Sequence, residues 1–215
     1  MSEFYKSMNK YVYPLYILVH PVDGFQELKN NKKYSLKVAN IILAVWVLLK
    51  ILDWGYVDFD FTSDRHLGEP VQLQQILLTS IVIFTMAAVS NWCFTTLMDG
   101  KGKFVEIWIT CAYALLPYEM LGITRVILTY FLVRKEEGIF LDYMNTVGVI
   151  WSMLLIFLAL HVIHDYTAAK TIASIALTII GVLIMLFLVV LVSGLASQVY
   201  SFVATIFFEI RLRML

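Results

Sequence analysis

Residues 104–133 read FVEIWITCAYALLPYEMLGITRVILTYFLV, and whether this stretch crosses a membrane once or turns back inside it decides the fold. A crossing takes about 20 mostly apolar residues to cover roughly 30 Å of hydrocarbon, so the stretch suffices for one tilted span. Pro117 interrupts it near the middle, and neither half is long enough to cross alone. Proline removes a helix donor and clashes with the preceding turn, so a kink is predicted just before Pro117. The carbonyls it frees, near Tyr113, need a new partner that in lipid only protein or trapped water supplies, so the kink is expected to face the bundle interior.

Working outward, residues 36–56 and 73–97 precede this stretch and residues 144–164 and 171–195 follow it, each of spanning length and composition. The reading is all-α: a polytopic membrane helix bundle of about five transmembrane helices, the third kinked at Pro117. A rival reading makes residues 104–133 a re-entrant pair and leaves about four crossings. Composition supports lipid as the main solvent, with 60% of the 215 residues hydrophobic and only 15% charged, and a mean hydropathy of +0.80. The net charge of zero gives no global field for nucleic acid. Cys93 and Cys111 fall inside apolar helices without paired spacing and read as small buried hydrophobes.

Lysine and arginine near the spans set the orientation. The arm before the first span carries Lys6, Lys10, Lys29, Lys32, Lys33 and Lys37, which places the N-terminus in the cytoplasm. The next loop, residues 57–70, has Asp58, Asp60, Asp64 and Glu69 against Arg65 alone, and the following turn has Lys101 and Lys103. Five crossings put Arg134, Lys135, Arg211 and Arg213 outside, against this tendency; the rival places them inside.

Three parts follow from the pattern. Residues 1–34 form a cytoplasmic arm with an amphipathic helix, residues 35–195 the five-span domain, and residues 196–215 a C-terminal amphipathic helix. Pro21 suits a first helical position and Asp23 a first turn, and Phe25 and Leu28 form an apolar edge followed by Lys29, Lys32 and Lys33. The functional reading of these five residues is an interfacial helix held to anionic lipid; the alternative is a solvated cap. At the other end Gln198, Ser201, Thr205 and Glu209 trace a narrow polar stripe, as on a helix in the interface or against a partner.

A charge deep in the membrane calls for a functional hypothesis, and Glu119 follows the Pro117 kink by two positions. A candidate interior binding site comprises Asn91, Tyr113, Pro117, Glu119 and Arg125, with Glu119 meeting Arg125 only if the helix bends, and otherwise freed backbone or Asn91. His161, His164 and Asp165 share a helix face near the depth of Glu106 and Asp99, a weak metal candidate that reads better as the polar end of a helix. Asp99-Gly100-Lys101-Gly102-Lys103 lacks the phosphate-loop pattern and reads as a tight turn. Ser174, Thr178 and Gly181 put small side chains on one face of the last span, which permits close helix packing. No catalytic motif is present and no cofactor is implied.

His20-Pro21-Val22-Asp23-Gly24-Phe25-Gln26-Glu27-Leu28-Lys29, then Leu97-Met98-Asp99-Gly100-Lys101-Gly102-Lys103-Phe104, then Tyr113-Ala114-Leu115-Leu116-Pro117 form an ordered set. With it the chain resembles the Yip-one domain family, the Ypt/Rab-interacting membrane proteins, in its short bacterial type. The resemblance implies five spans, an inside N-terminus, an outside tail and no known catalysis. Eukaryotic members bind small GTPases and act in vesicle formation between endoplasmic reticulum and Golgi. They carry a longer acidic N-terminal region with an Asp-Leu-Tyr-Gly-Pro type motif that is missing here, which leaves small-GTPase binding in doubt. A bacterial plasma membrane is the expected home, with endoplasmic reticulum or Golgi the alternative for a eukaryotic chain. The expected function is a noncatalytic adaptor or scaffold that associates with another membrane protein, such as a transporter complex. The alternative is a small transporter or lipid-moving protein using Glu119 beside the break.

Overall fold

The computed structural model describes residues 13–31, 34–53, 73–131 and 138–213. Every regular element among these residues is helical: α1 Tyr13–Val19, α2 Pro21–Asn31, α3 Leu36–Leu52, α4 Leu73–Leu97, α5 Phe104–Ala114, α6 Leu116–Thr129, α7 Gly138–His164 and α8 Ala168–Arg213. Four helical stretches are long and apolar enough to cross a membrane: Leu73–Leu97, Phe104–Thr129, Ile139–His164 and Ala168–Phe207. The 17 residues of α3 extend about 26 Å, just under a full crossing. The rest of the first expected span, with Trp54 and Tyr56, lies outside the described residues, as do Lys32, Lys33, Arg134, Lys135 and the acidic loop.

The break at Pro117 bends the chain without reversing it. Leu115 N–H closes a tight turn on Ala112 O at 3.1 Å, and α6 restarts with Glu119 N–H on Leu115 O at 3.1 Å. Downstream the Tyr118 N–H donates to Ser152 Oγ on α7 at 3.3 Å, while upstream the Gly102 N–H donates to His164 Nδ1 at 3.3 Å. Rising numbers on α5–α6 thus meet falling numbers on α7, so the two run antiparallel through the break. A re-entrant pair would bring its two ends to one level, and the contacts do not do so.

The ends of α4 and α7 on one side of the bundle finish alike. Gly100 N–H reaches back to Thr95 O at 2.7 Å and Tyr166 N–H to His161 O at 3.2 Å, the long bond of a Schellman cap. The left-handed position in each is an aspartate, Asp99 at φ 58° and Asp165 at φ 55°. Glycine would take that conformation without cost, and aspartate tolerates it better than most residues. The Tyr166 hydroxyl donates to Thr95 O at 3.1 Å and lies 3.3 Å from Met98 O, which locks one turn onto the other. We label this side of the bundle its inner end and the opposite side its outer half.

The core forms where α1 and α2 fold against the spans. Tyr13, Ile17, Phe25 and Leu28 pack with Ala39, Ile42, Ile109, Ala112, Tyr113, Ala114, Leu155 and Ala159. This corrects the expectation that Phe25 and Leu28 face lipid: both are 0% exposed, because α1 and the spans supply an apolar partner for that edge. The Tyr113 hydroxyl donates to Ser35 O at 3.3 Å and accepts from Ser35 N–H at 3.2 Å. Tyr113 therefore fixes the start of α3.

α8 is continuous across residues 195 and 196, where the sequence suggests a span followed by a separate amphipathic helix. Its 46 residues extend about 69 Å, far beyond a hydrocarbon core of roughly 30 Å. Only its first part packs on the bundle, where Ser90 Oγ donates to Thr178 O at 2.9 Å. A side chain at Gly181 would overlap Ser90 Oγ and Phe94, so the glycine sets how closely α4 and α8 approach. From Phe187 to Phe207 every residue is exposed.

Candidate functional site

The proposed interior site resolves into separate neighbourhoods. Arg125 pairs with Asp53 at the end of α3, Nη1 to Oδ2 3.3 Å, and not with Glu119. Asn91 donates through Nδ2 to Thr178 Oγ1 on α8 at 3.0 Å, so its partner is also not Glu119. Tyr113 serves Ser35. Pro117 and Glu119 share the first turn of α6. Glu119 is 4% exposed, and its Oε1 has no hydrogen-bond partner among the described residues. Beside it, Lys50 sits over the Tyr118 ring at 4.8 Å. The outer half of the bundle thus holds Asp53, Lys50, Tyr118, Glu119 and Arg125 around the break.

Asp53, Lys50 and Ser152 are additions that the sequence reading lacks. Asp53 and Lys50 carry a signal, since a charge near the end of an apolar span calls for a partner. Ser152 carries none, because a single hydroxyl in an apolar helix most often bonds to its own backbone.

At the inner end, His161, His164 and Asp165 are engaged by protein. His161 Nδ1 lies 3.4 Å from Thr171 Oγ1, and His164 Nδ1 accepts from Gly102. Asp165 Oδ2 lies 2.7 Å from Lys29 Nζ on α2 and 3.1 Å from Lys101 Nζ in the α4–α5 turn. Hydrogen bonds from Lys29 and then Lys101 hold the Asp165 carboxyl below its ordinary range, while burial, with the Asp99 charge adding, raises the Tyr166 hydroxyl. Glu106 Oε2 accepts from the Lys103 N–H at 3.0 Å and caps α5. Among the described residues no group of three or more His, Cys, Asp or Glu side chains converges as a metal-ligand set. Lys29, expected at the lipid surface, also donates to Val162 O at 3.2 Å, so it joins α2 to the end of α7.

Two cavities flank these neighbourhoods. One of about 440 Å³ lies between α3 and α4, walled by Leu43, Val47, Ile81, Phe84 and Trp108. The indole of Trp108 closes on Asn40 Oδ1 at 3.1 Å. The other, about 430 Å³, lies between α2 and the end of α7.

A family model described as the Yip1 domain matches residues 15–192. This chain belongs to the Yip1 domain family. It is an integral membrane protein, as its apolar helices and the family together show. The Yip1 domain match takes in the docked N-terminal helices, both inner turns, the Pro117 break and the packed part of α8, and stops before most of the exposed part. No curated protein and no solved structure matches this Yip1 domain chain.

Proposed function

We propose that this Yip1 domain protein is a noncatalytic adaptor or scaffold that docks on another membrane complex in transport or trafficking. Its home on this reading is a bacterial plasma membrane, with the inner end in the cytoplasm. Lys29, Lys37, Lys101, Lys103 and Lys170 lie toward that end and support the orientation. The three-part division at residues 34 and 195 belongs to the same proposal.

The observation that carries the adaptor reading is the outer part of α8. Residues 187–207 are exposed throughout, and the hydroxyls of Ser193, Ser197, Ser201 and Thr205 bond back to their own helix. That surface offers apolar packing and asks for no polar partner, which suits another membrane helix. A photoreactive side chain at Val199, crosslinked in native membranes, should capture a second membrane protein. A chain recovered alone after gentle solubilisation, across growth conditions, would defeat the reading.

A second reading, a small transporter or lipid-moving protein, rests on the unpartnered Glu119 oxygen next to the helix break. Reconstituted vesicles should then show a flux that Glu119→Gln abolishes. Absence of flux, or flux indifferent to that change, removes it.

A further inference from the structure

The cleft between α2 and the end of α7 is a built polar site at the inner membrane surface. Gln26, Lys29 and Asn30 line it from α2, and His161 and Asp165 from α7 and its cap, over an apolar floor of Val22 and Val162. It lies where α4 and α7 end in their aspartate caps, so it opens at the level of lipid headgroups rather than acyl chains.

The donor inventory decides the ligand class. The Lys29 ammonium has three donors, and Asp165 Oδ2 and Val162 O engage two of them. Its position is therefore fixed while one N–H remains to be given. The amides of Gln26 and Asn30 make no hydrogen bond within the described residues. Thr171 gives its hydroxyl proton to Thr167 O, so the N–H of His161 is directed at Thr171 Oγ1 and the ring is not counted among the donors of the cleft.

The carboxylate lining the cleft, Asp165, is already shared by Lys29 and Lys101. A cationic ligand would compete there with two lysines already held on Oδ2. Lys170, over the Tyr166 ring at 4.6 Å, adds positive charge at the rim. Lys29 and Lys101 share Asp165, so around that carboxylate the cations outnumber the negative charge. The surroundings are also apolar on one side: Val19 and Val22 are exposed at the α1–α2 corner next to the opening.

We propose that this cleft binds the phosphate of a glycerophospholipid headgroup, with Lys29, Gln26 and Asn30 donating to its oxygens and Val19 and Val22 against its glycerol and acyl portion. A soluble phosphate ester carries the same oxygen chemistry but has no use for the apolar corner. The site is independent of the adaptor reading and needs only that the chain sits in a membrane.

Native mass spectrometry of the full chain in detergent tests the proposal. The probes are phosphatidylglycerol, phosphatidylcholine and diacylglycerol of matched acyl chains, with glycerol 3-phosphate as the soluble competitor. Phosphatidylglycerol should be retained at one per chain, about tenfold more tightly than diacylglycerol. Gln26→Leu combined with Asn30→Leu fills the cleft, leaves the Lys29–Asp165 bridge in place and should erase that preference at an unchanged unfolding temperature. Should this pair disturb folding, Lys101→Gln, at an exposed side chain, should lower retention by about threefold. Equal retention of diacylglycerol, or undiminished preference in a folded variant, overturns the proposal. Displacement of lipid by equimolar glycerol 3-phosphate upholds the phosphate site and overturns the lipid as its source. Crosslinks from Val199 are unaffected by any of these variants, so this result and the adaptor result fail separately.

Discussion

Arg125 on α6 meets Asp53 at the end of α3, Nη1 to Oδ2 3.3 Å, with both side chains largely withdrawn from solvent. The pair ties the outer half of the broken span to the helix beside it. Removing one partner leaves the other as an uncompensated buried charge. Asp53→Ala should therefore cost about 3–5 kcal/mol, and the double change Asp53→Ala with Arg125→Met clearly less than the two single costs added. Reversible unfolding in mixed micelles measures this; additive costs would show that the two side chains do not act as a pair.

Ser152 has a narrower task. Its Oγ accepts the Tyr118 N–H that the Pro117 break leaves without an ordinary helical partner. Ser152→Ala should destabilise by about 1–3 kcal/mol, the cost of an unsatisfied buried donor. Ser152→Thr, which keeps an acceptor, should recover part of it in the same unfolding measurement.

The interlocked inner turns predict opposite signs for two small changes. A Cβ at Gly100 would stand 2.6 Å from His164 Nδ1 and 2.7 Å from the Tyr166 hydroxyl oxygen. Gly100→Ala should therefore lower stability by about 1–3 kcal/mol. Asp99→Gly relieves a left-handed aspartate one position earlier in the same cap and should raise stability by about 1 kcal/mol. Thermal unfolding of the two variants beside the parent gives both signs, and equal shifts in one direction would refute the cap geometry.

Asp165 predicts a pH dependence confined to acid. Its carboxyl is held below the ordinary range by Lys29 and Lys101, so the folded form binds its proton less readily than the unfolded form. The stabilisation is fully present above the unfolded value of about 3.9 and is lost as pH falls through the lower folded value. Because the side chain is half exposed, screening by water makes the effect small. Hydrogen-exchange protection of the α2 amides, taken relative to the intrinsic rate at each pH, should hold from neutrality down to about pH 4 and fall below it. Asp165→Asn should exchange faster at neutral pH and show less of the acid step.

The apolar runs, the Pro117 break and the inner turns were legible because each is written in contiguous residues: length, a missing donor, a Gly-rich tight turn. What escaped was pairing across distance. Glu119 and Arg125 lie on one helix and invite pairing by sequence, yet Arg125 turns to Asp53 across a helix boundary. Asn91 similarly goes to Thr178. Phe25 and Leu28 give the periodicity of a surface-lying helix, and periodicity identifies the apolar face without telling whether lipid or protein covers it. In this chain α1 and the spans cover it.

α8 is held on α4 near Gly181 and Ser90 and then runs on as one continuous helix to Arg213. Its far end lies about 48 Å beyond that fulcrum at 1.5 Å per residue. Geometry alone turns a pivot of about 5° there into a sweep of about 4 Å at the tip, so the helix magnifies adjustments too small to notice at the hinge.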